Sequence, residues 1–371
     1  MNLQVNKSFG AESEVNLIAV GDISLETKDN ARPFDKVKEA LSNKDILFGN
    51  LETVLSNRGE KAEKAVLLYT LPEKVEYLKD AGFDVLNLAN NHIMDMGIEG
   101  FNDTLEVLNQ NGLATIGVKN KKFNQSYTII ERKGIKLGFL GYYEHGFENC
   151  RNGIFINGID EDSIVTDIKN LKLKSDIVVV SLHWGIENVF YPSPAQIKCA
   201  RTLIDAGAAL VLGHHPHVVQ GIERYKNGLV AYSLGNFQFD CKLVGEINEK
   251  ASDSLILSVD ISRDGAGNYE IIPVKIKDNF APYILSKEEK EENAQFFYEL
   301  SRPIMEGAIT KSRWFEQIAR DHLVGNLKAW SLRIRKYGIK HLLQCIRWHM
   351  SPFTVKCYLG LFRKWLRKKE I

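Results

Sequence analysis

The stretch Ala208-Ala209-Leu210-Val211-Leu212-Gly213-His214-His215-Pro216-His217 places three imidazoles in four positions directly after an unbroken apolar run. A continuous apolar run of this length, closed by a turn signal, reads as a strand buried on both faces. Pro216 ends that strand and prevents a helix from starting through it. His215 and His217 are thereby expected on a short, stiff turn at a strand end. Neutral imidazole is a common metal ligand, and a rigid turn lowers the entropy cost of assembling a site.

Working outward, the same design recurs. Val15–Val20 reads as a strand ending at Gly21-Asp22, and Asp45–Phe48 as a strand followed by Gly49-Asn50-Leu51-Glu52. Asp84–Ala89 runs into Asn90-Asn91-His92, and Asp176–Ser181 into His183-Trp184-Gly185. Helices are expected between them, over residues 33–42, from Pro72 to a Gly82 cap, over 98–109, near 160–173, and over 194–206. Asp264-Gly265 signals a hairpin between strands near 254–261 and 269–277. Strands alternating with helices indicate an α/β protein. Ligands in such folds bind beyond the carboxyl ends of the strands. Asp22, Glu52, Asn91, His92, His183, His215 and His217 each follow a predicted strand, and are expected to converge on one sheet edge.

That set holds oxygen and nitrogen donors without thiolates, which suits Mn, Fe or Zn, as one or two ions, rather than a structural zinc–thiolate site. A carboxylate such as Glu52 can bridge two cations, and an imidazole outside the ligand set can protonate a leaving group. Trp184 is read as packing, Ser233 and Asn236 as braces for the loop beside the site, and Glu144-His145 as pocket rim or plain loop.

Gly21-Asp22, Asn50-Leu51-Glu52, Asn90-Asn91-His92-x-x-Asp95, His183-Trp184-Gly185, Gly213–Gln220 and Tyr232–Phe237 resemble, in order, the motifs of the bacterial capsule-synthesis CapA family. The resemblance spans roughly residues 15–280. It implies the four-layer α/β/β/α sandwich of the calcineurin-like metallophosphoesterases, with a C-terminal helical extension. It implies a metal-dependent hydrolase in capsule or poly-γ-glutamate synthesis, or else a non-catalytic, polymer-binding assembly component. By the resemblance Asp22, Glu52 and His217 hold one divalent metal and Glu52, Asn91, His183 and His215 the second. His92 is the general acid, oriented by Asp95. Ser24 stands where the wider phosphoesterases carry a histidine, which weakens the first metal position. The implied partners are an anionic polymer or phosphoester substrate and capsule-synthesis membrane proteins.

The chain has 371 residues and a net charge of +1. Its 44% apolar and 26% charged content is that of a globular protein. From Lys311 onward 15 basic residues face three acids, so this tail carries +12 and the first 310 residues carry −11. Three regions are expected: a lead over 1–14, the CapA-like domain over 15–280, and a helical basic region over 281–371. Leu327, Trp330, Ile334 and Tyr337 form one apolar stripe and Val355, Tyr358, Phe362, Trp365 and Leu366 another, both flanked by Lys and Arg. Residues 325–371 are expected either to touch an anionic membrane surface peripherally or to pack on the acidic domain or a partner. No nucleic-acid recognition motif is present, and nucleic acid is not an expected partner. Five scattered cysteines without a CxxC pair suggest reduced thiols. No secretory signal or long apolar span is seen, so a cytoplasmic chain, peripheral at the inner membrane face, is expected.

Overall fold

The computed structural model describes residues 14–337 and 351–367, less positions 29–31, 43, 65, 147, 150–152, 242–248 and 278. Residues 1–13 of the lead, Cys150, Cys345 and residues 338–350 and 368–371 of the basic tail lie outside that range.

Two sheets stack face to face. The first runs in the order Pro282–Ile284, Gly265–Ile276, Asp253–Ser262, Val15–Ile23, Ile46–Leu51, Val85–Asn87, Ala114–Ile116, with Asn236–Gln238 also pairing to Val15–Ile23. The second runs Ile222–Tyr225, Gly228–Ala231, Leu210–His214, Ile177–His183, Ile135–Tyr143, Tyr127–Arg132. In the first sheet Val15–Ile23, Ile46–Leu51, Val85–Asn87 and Ala114–Ile116 pair in parallel out to the edge, while Asp253–Ser262, Gly265–Ile276 and Pro282–Ile284 add antiparallel on the other side. In the second the central pairings are parallel and both edge strands are antiparallel.

Side-chain alternation separates the layers, because successive strand residues point to opposite faces. Leu17, Ala19, Phe48 and Val85 point inward and meet Leu137, Phe139, Val179, Leu210 and Leu212 of the second sheet. Ile18, Val20, Leu47 and Leu86 point the other way, onto Leu41, Leu78, Phe101 and Leu105. These four belong to the helices Lys38–Ser42, Val75–Ala81 and Gly97–Gln110. Leu140, Val178, Val180, Leu182 and Val211 pack on Ile164, Ile168, Leu171, Ala200 and Leu203, from helices Glu161–Lys172 and Pro194–Ala206. The result is a four-layer α/β/β/α sandwich. Both parallel strand sets are buried on two faces, which is why they read as continuous apolar runs.

The helix expected over 33–42 is shorter. Residues 33–37 form turns and the helix is Lys38–Ser42. Phe34 explains the difference: its ring packs against Phe83 and Phe237, and that packing holds the segment in turns. Gly82, at φ 75°, closes the Val75–Ala81 helix, a left-handed cap that glycine adopts without strain.

Two motif glycines exist because backbones approach one another. A Cβ at Gly21 would lie 1.9 Å from the Gly235 carbonyl oxygen, and one at Gly213 1.9 Å from that of Tyr232. Gly21→Ala must push strands apart beside Asp22, whose N–H donates to the same Gly235 oxygen at 3.0 Å. The expected cost is about 3 kcal/mol or more, measured as a lowered urea midpoint with an unchanged m-value.

Candidate metal centre

The site lies across the carboxyl ends of both sheets. Sequence alone suggested one sheet edge, and this is corrected by the topology. Asp22, Glu52, Asn91 and His92 come from the first sheet, while His183, His215 and His217 come from the second. The chain crosses between sheets after Ala114–Ile116, a pairing choice no local pattern encodes. Asp22 and His183 also lie within their strands rather than after them.

Glu52 is the centre of the cluster. It is fully buried, and neither carboxylate oxygen has a hydrogen-bond partner. Its Oε1 is 3.6 Å from His183 Nε2, 3.8 Å from His217 Nε2 and 3.9 Å from His92 Nε2. These gaps are longer than hydrogen bonds, and three ring nitrogens face one undonated oxygen. Orphaned buried carboxylate oxygens are costly unless something cationic joins them. Ligand atoms of Asp22, Glu52 and His183 lie within 4.8 Å of one another, as do those of Glu52, His215 and His217. The residues present therefore fit a divalent cation, or a closely spaced pair bridged by Glu52.

The surrounding contacts aim the rings. His217 Nδ1 is 2.9 Å from Asn236 Oδ1, leaving Nε2 towards Glu52. Asp22 accepts from Asn50 Nδ2 at 2.8 Å and lies 3.4 Å from His217 Nδ1. Asn50 in turn accepts from Asn87 Nδ2 at 2.8 Å, and its Nδ2 lies 3.3 Å from His183 Nδ1. His183 Nε2 is 2.7 Å from Asn91 Oδ1. Both atoms are free to act as ligands to a divalent cation in place of this hydrogen bond. The His turn itself is strained: His215 and His217 have φ of 96° and 57°, conformations that non-glycine residues hold only when their surroundings enforce them. His214 is completely buried, with Nδ1 3.3 Å from Asp22 Oδ1 and its ring against Phe48. His215 instead stands half-buried beside the rings of His183 and His217. Of the two, His215 shares the Glu52 and His217 cluster.

His92 and Asp95 form a separate pair at the edge. His92 Nδ1 is 2.5 Å from Asp95 Oδ2. The buried Asp95 also accepts from Leu68 N–H at 2.7 Å and Lys64 Nζ at 2.6 Å, and Lys64 additionally donates to the Asn91 carbonyl. Charge-assisted bonds of this kind fix a carboxylate firmly. His92 Nδ1–H thus has a fixed acceptor, and Nε2 is turned to the cluster.

Charge is divided unevenly. Burial would raise Asp22, but the adjacent His214 and His217 imidazoles, 3.3 and 3.4 Å away, outweigh it and hold its carboxyl well below the usual range. Burial and the neighbouring Asp22 charge push Glu52 well above it. Burial opposes the His217 imidazolium, yet the Glu52 and Asp22 carboxylates raise His217 to about 10. Burial and the other rings hold His183 neutral.

Ser24 offers nothing to the cluster. Its Oγ lies 3.4 Å from the Gln238 carbonyl and accepts from Glu26 N–H at 3.4 Å. Trp184 is buried and stacked on Tyr232. Ser233 Oγ donates to the Val218 carbonyl at 2.8 Å. Glu144 caps Gly185 N–H at 2.8 Å. Sequence reasoning did not single out Asn50, Asn87, His214 or Lys64 as site residues. Asn50 and His214 sat inside quoted motifs, whereas Lys64 lies in an irregular segment with no pattern to mark it.

The family described as bacterial capsule synthesis protein PGA_cap has a sequence model that matches residues 16–241. The chain is 33% identical over 276 residues to the PGA biosynthesis protein CapA of Bacillus subtilis, covering 70% of this chain and 71% of that one. It is 31% identical over 319 residues to the capsule biosynthesis protein CapA of Bacillus anthracis, covering 83% of this chain and 71% of that one. Among solved structures, a Mycoplasma pneumoniae phosphatase superposes at a TM-score of 0.48 with 13% identity, over 71% of this chain and 94% of that one.

Proposed function

This chain belongs to the PGA_cap family of bacterial capsule synthesis proteins, and from that premise we propose that it is a metal-dependent hydrolase of a phosphoester or related bond in the synthesis of poly-γ-glutamate or a related surface polymer. The observation that carries the reading is Glu52, a buried carboxylate with neither oxygen hydrogen-bonded and its Oε1 facing the Nε2 atoms of His92, His183 and His217.

Asp22, Glu52 and His217 would hold one divalent cation, and Glu52, Asn91, His183 and His215 a second. Bound there, Mn, Fe or Zn would supply Lewis-acid polarisation of a substrate oxygen and a more acidic water. The chain's own groups do the rest. Asn236 and Asn50 orient His217 and Asp22. His92 gives its Nε2 proton to the leaving oxygen, while Asp95, held by Lys64 and the Leu68 N–H, keeps the ring aimed. The reading places the chain with membrane-bound polymer-synthesis proteins at the inner face of the membrane, with an anionic polymer or its phosphoester precursor as substrate.

Ligation requires deprotonated groups. His217, raised to about 10 by the Glu52 and Asp22 carboxylates, retains its proton at neutral pH until a cation displaces it. Metal uptake at pH 7 is therefore expected to release protons, and apparent affinity to rise with pH towards 9. Calorimetry in buffers of different ionisation enthalpy reads this directly. An uptake enthalpy independent of buffer would contradict it.

Hydrolysis is tested on the full chain with p-nitrophenyl phosphate, Mn and elemental analysis together. Turnover that needs Mn and stops with EDTA supports the hydrolase. Bound metal without turnover supports the second reading, a non-catalytic polymer-binding component, which the diverted Ser24 hydroxyl favours.

A further inference from the structure

The helix Pro352–Arg367 is held to the body by its narrowest side. Thr354, Cys357 and Gly360, spaced three apart, are buried. A Cβ at Gly360 would lie 2.4 Å from the Phe315 carbonyl oxygen, so the helix crosses Lys311–Tyr337 at backbone contact. Phe353 fills the same seam against Trp314 and Phe315. Small residues thus set the close approach, with Phe353 and Leu361 packed beside them, and a row of other large apolar residues is left outside.

Val355, Leu359, Phe362 and Leu366 recur at helical spacing and are 44%, 49%, 56% and 42% exposed. They share one face. Phe362 and Trp365 stack with centroids 5.9 Å apart on its border. Lys356 and Arg363 are exposed beside this stripe, Arg363 also donating to Ser312 Oγ at 2.9 Å, within a tail carrying +12 against −11 for the rest. Surface helices of globular domains turn such a stripe inward. Here the stripe faces out and the cations flank it.

We propose that the outward face of Pro352–Arg367 docks peripherally on an anionic phospholipid bilayer, with Leu359, Phe362 and Leu366 at the acyl boundary and the neighbouring Lys and Arg on the headgroups. Charge selects an anionic surface. The exposed apolar row selects a bilayer over a soluble polyanion, which would use the charges alone. Among the described residues no helix is long and apolar enough to cross a membrane, so the contact is one of lying on the surface.

The test uses the full chain and sedimentation with vesicles of phosphatidylglycerol and phosphatidylethanolamine, against phosphatidylcholine alone. Binding is expected to the first only, and to weaken with salt. Leu359→Ser with Phe362→Ser, and separately Lys356→Glu with Arg363→Glu, should each lower vesicle affinity about tenfold or more. Far-ultraviolet circular dichroism verifies that both variants are folded. Charge sensitivity without apolar sensitivity would overturn the proposal in favour of a soluble polyanion. Failure of the parent to bind these vesicles would overturn it outright, and a dimer abolished by the Ser pair would then identify a second copy as the occupant. No metal enters this test, so its result is separable from that of the hydrolase reading.

Discussion

Glu52→Gln is expected to remove divalent-metal binding while leaving the metal-free fold as stable as the parent. The glutamine keeps the volume at a site where the carboxylate is fully buried and pushed towards its neutral form by burial and by Asp22. Little is lost before a cation enters, and the repulsion from Asp22 disappears. With a cation the balance reverses. Outer contacts to a ligand are worth about 10–100-fold in metal affinity, and a bridging carboxylate serves two positions at once. Affinity should fall by more than about 100-fold, with the thermal midpoint in EDTA unchanged. The parent's midpoint should rise when metal is added, because a ligand bound only by the folded state stabilises it. The variant's should not.

His92→Ala should have the complementary signature: metal retained, rate lost. His92 Nε2 stands 3.9 Å from Glu52 Oε1, but its Nδ1 is committed to Asp95 at 2.5 Å. The ring is built as a proton donor at the cluster's edge. A positioned general acid contributes about 10²- to 10⁴-fold, and kcat towards p-nitrophenyl phosphate should fall within that range at unchanged metal content. A substrate with a better leaving group should narrow the difference, since it needs less protonation. Equal rates for variant and parent would remove the acid role from His92. Loss of metal in this variant would make His92 a ligand instead.

Much of this architecture could be read from the chain because buried parallel strands carry their own signature. Leu210–Leu212 and Ile177–Val180 are apolar at every position since both faces are covered, and their polar termini stand out by contrast. The partition between two sheets was not legible. Strand pairing between Val15–Ile23 and Asn236–Gln238, more than 200 residues apart, leaves no local trace. Residues marked by strand-end position are the ones the fold brings into one cluster, whereas the contacts made from irregular chain carried no mark in the sequence. Lys64 reaches Asp95 across 31 residues from a segment with neither periodicity nor caps. Asn50 and Asn87 look like ordinary strand residues until the fold stacks them between Asp22 and His183. The outward row on Pro352–Arg367 was visible as a stripe, but its direction depended on the small seam Thr354, Cys357, Gly360.

The central claim is that Asp22, Glu52, Asn91, His183, His215 and His217 form one cation-holding cluster. A calorimetric titration of the EDTA-stripped full chain with Mn, run beside Glu52→Gln and His92→Ala, addresses it most directly. Saturable uptake of one or two ions by the parent and by His92→Ala, and none by Glu52→Gln, is the predicted result. Absence of saturable uptake by the parent, or undiminished uptake by Glu52→Gln, would contradict it.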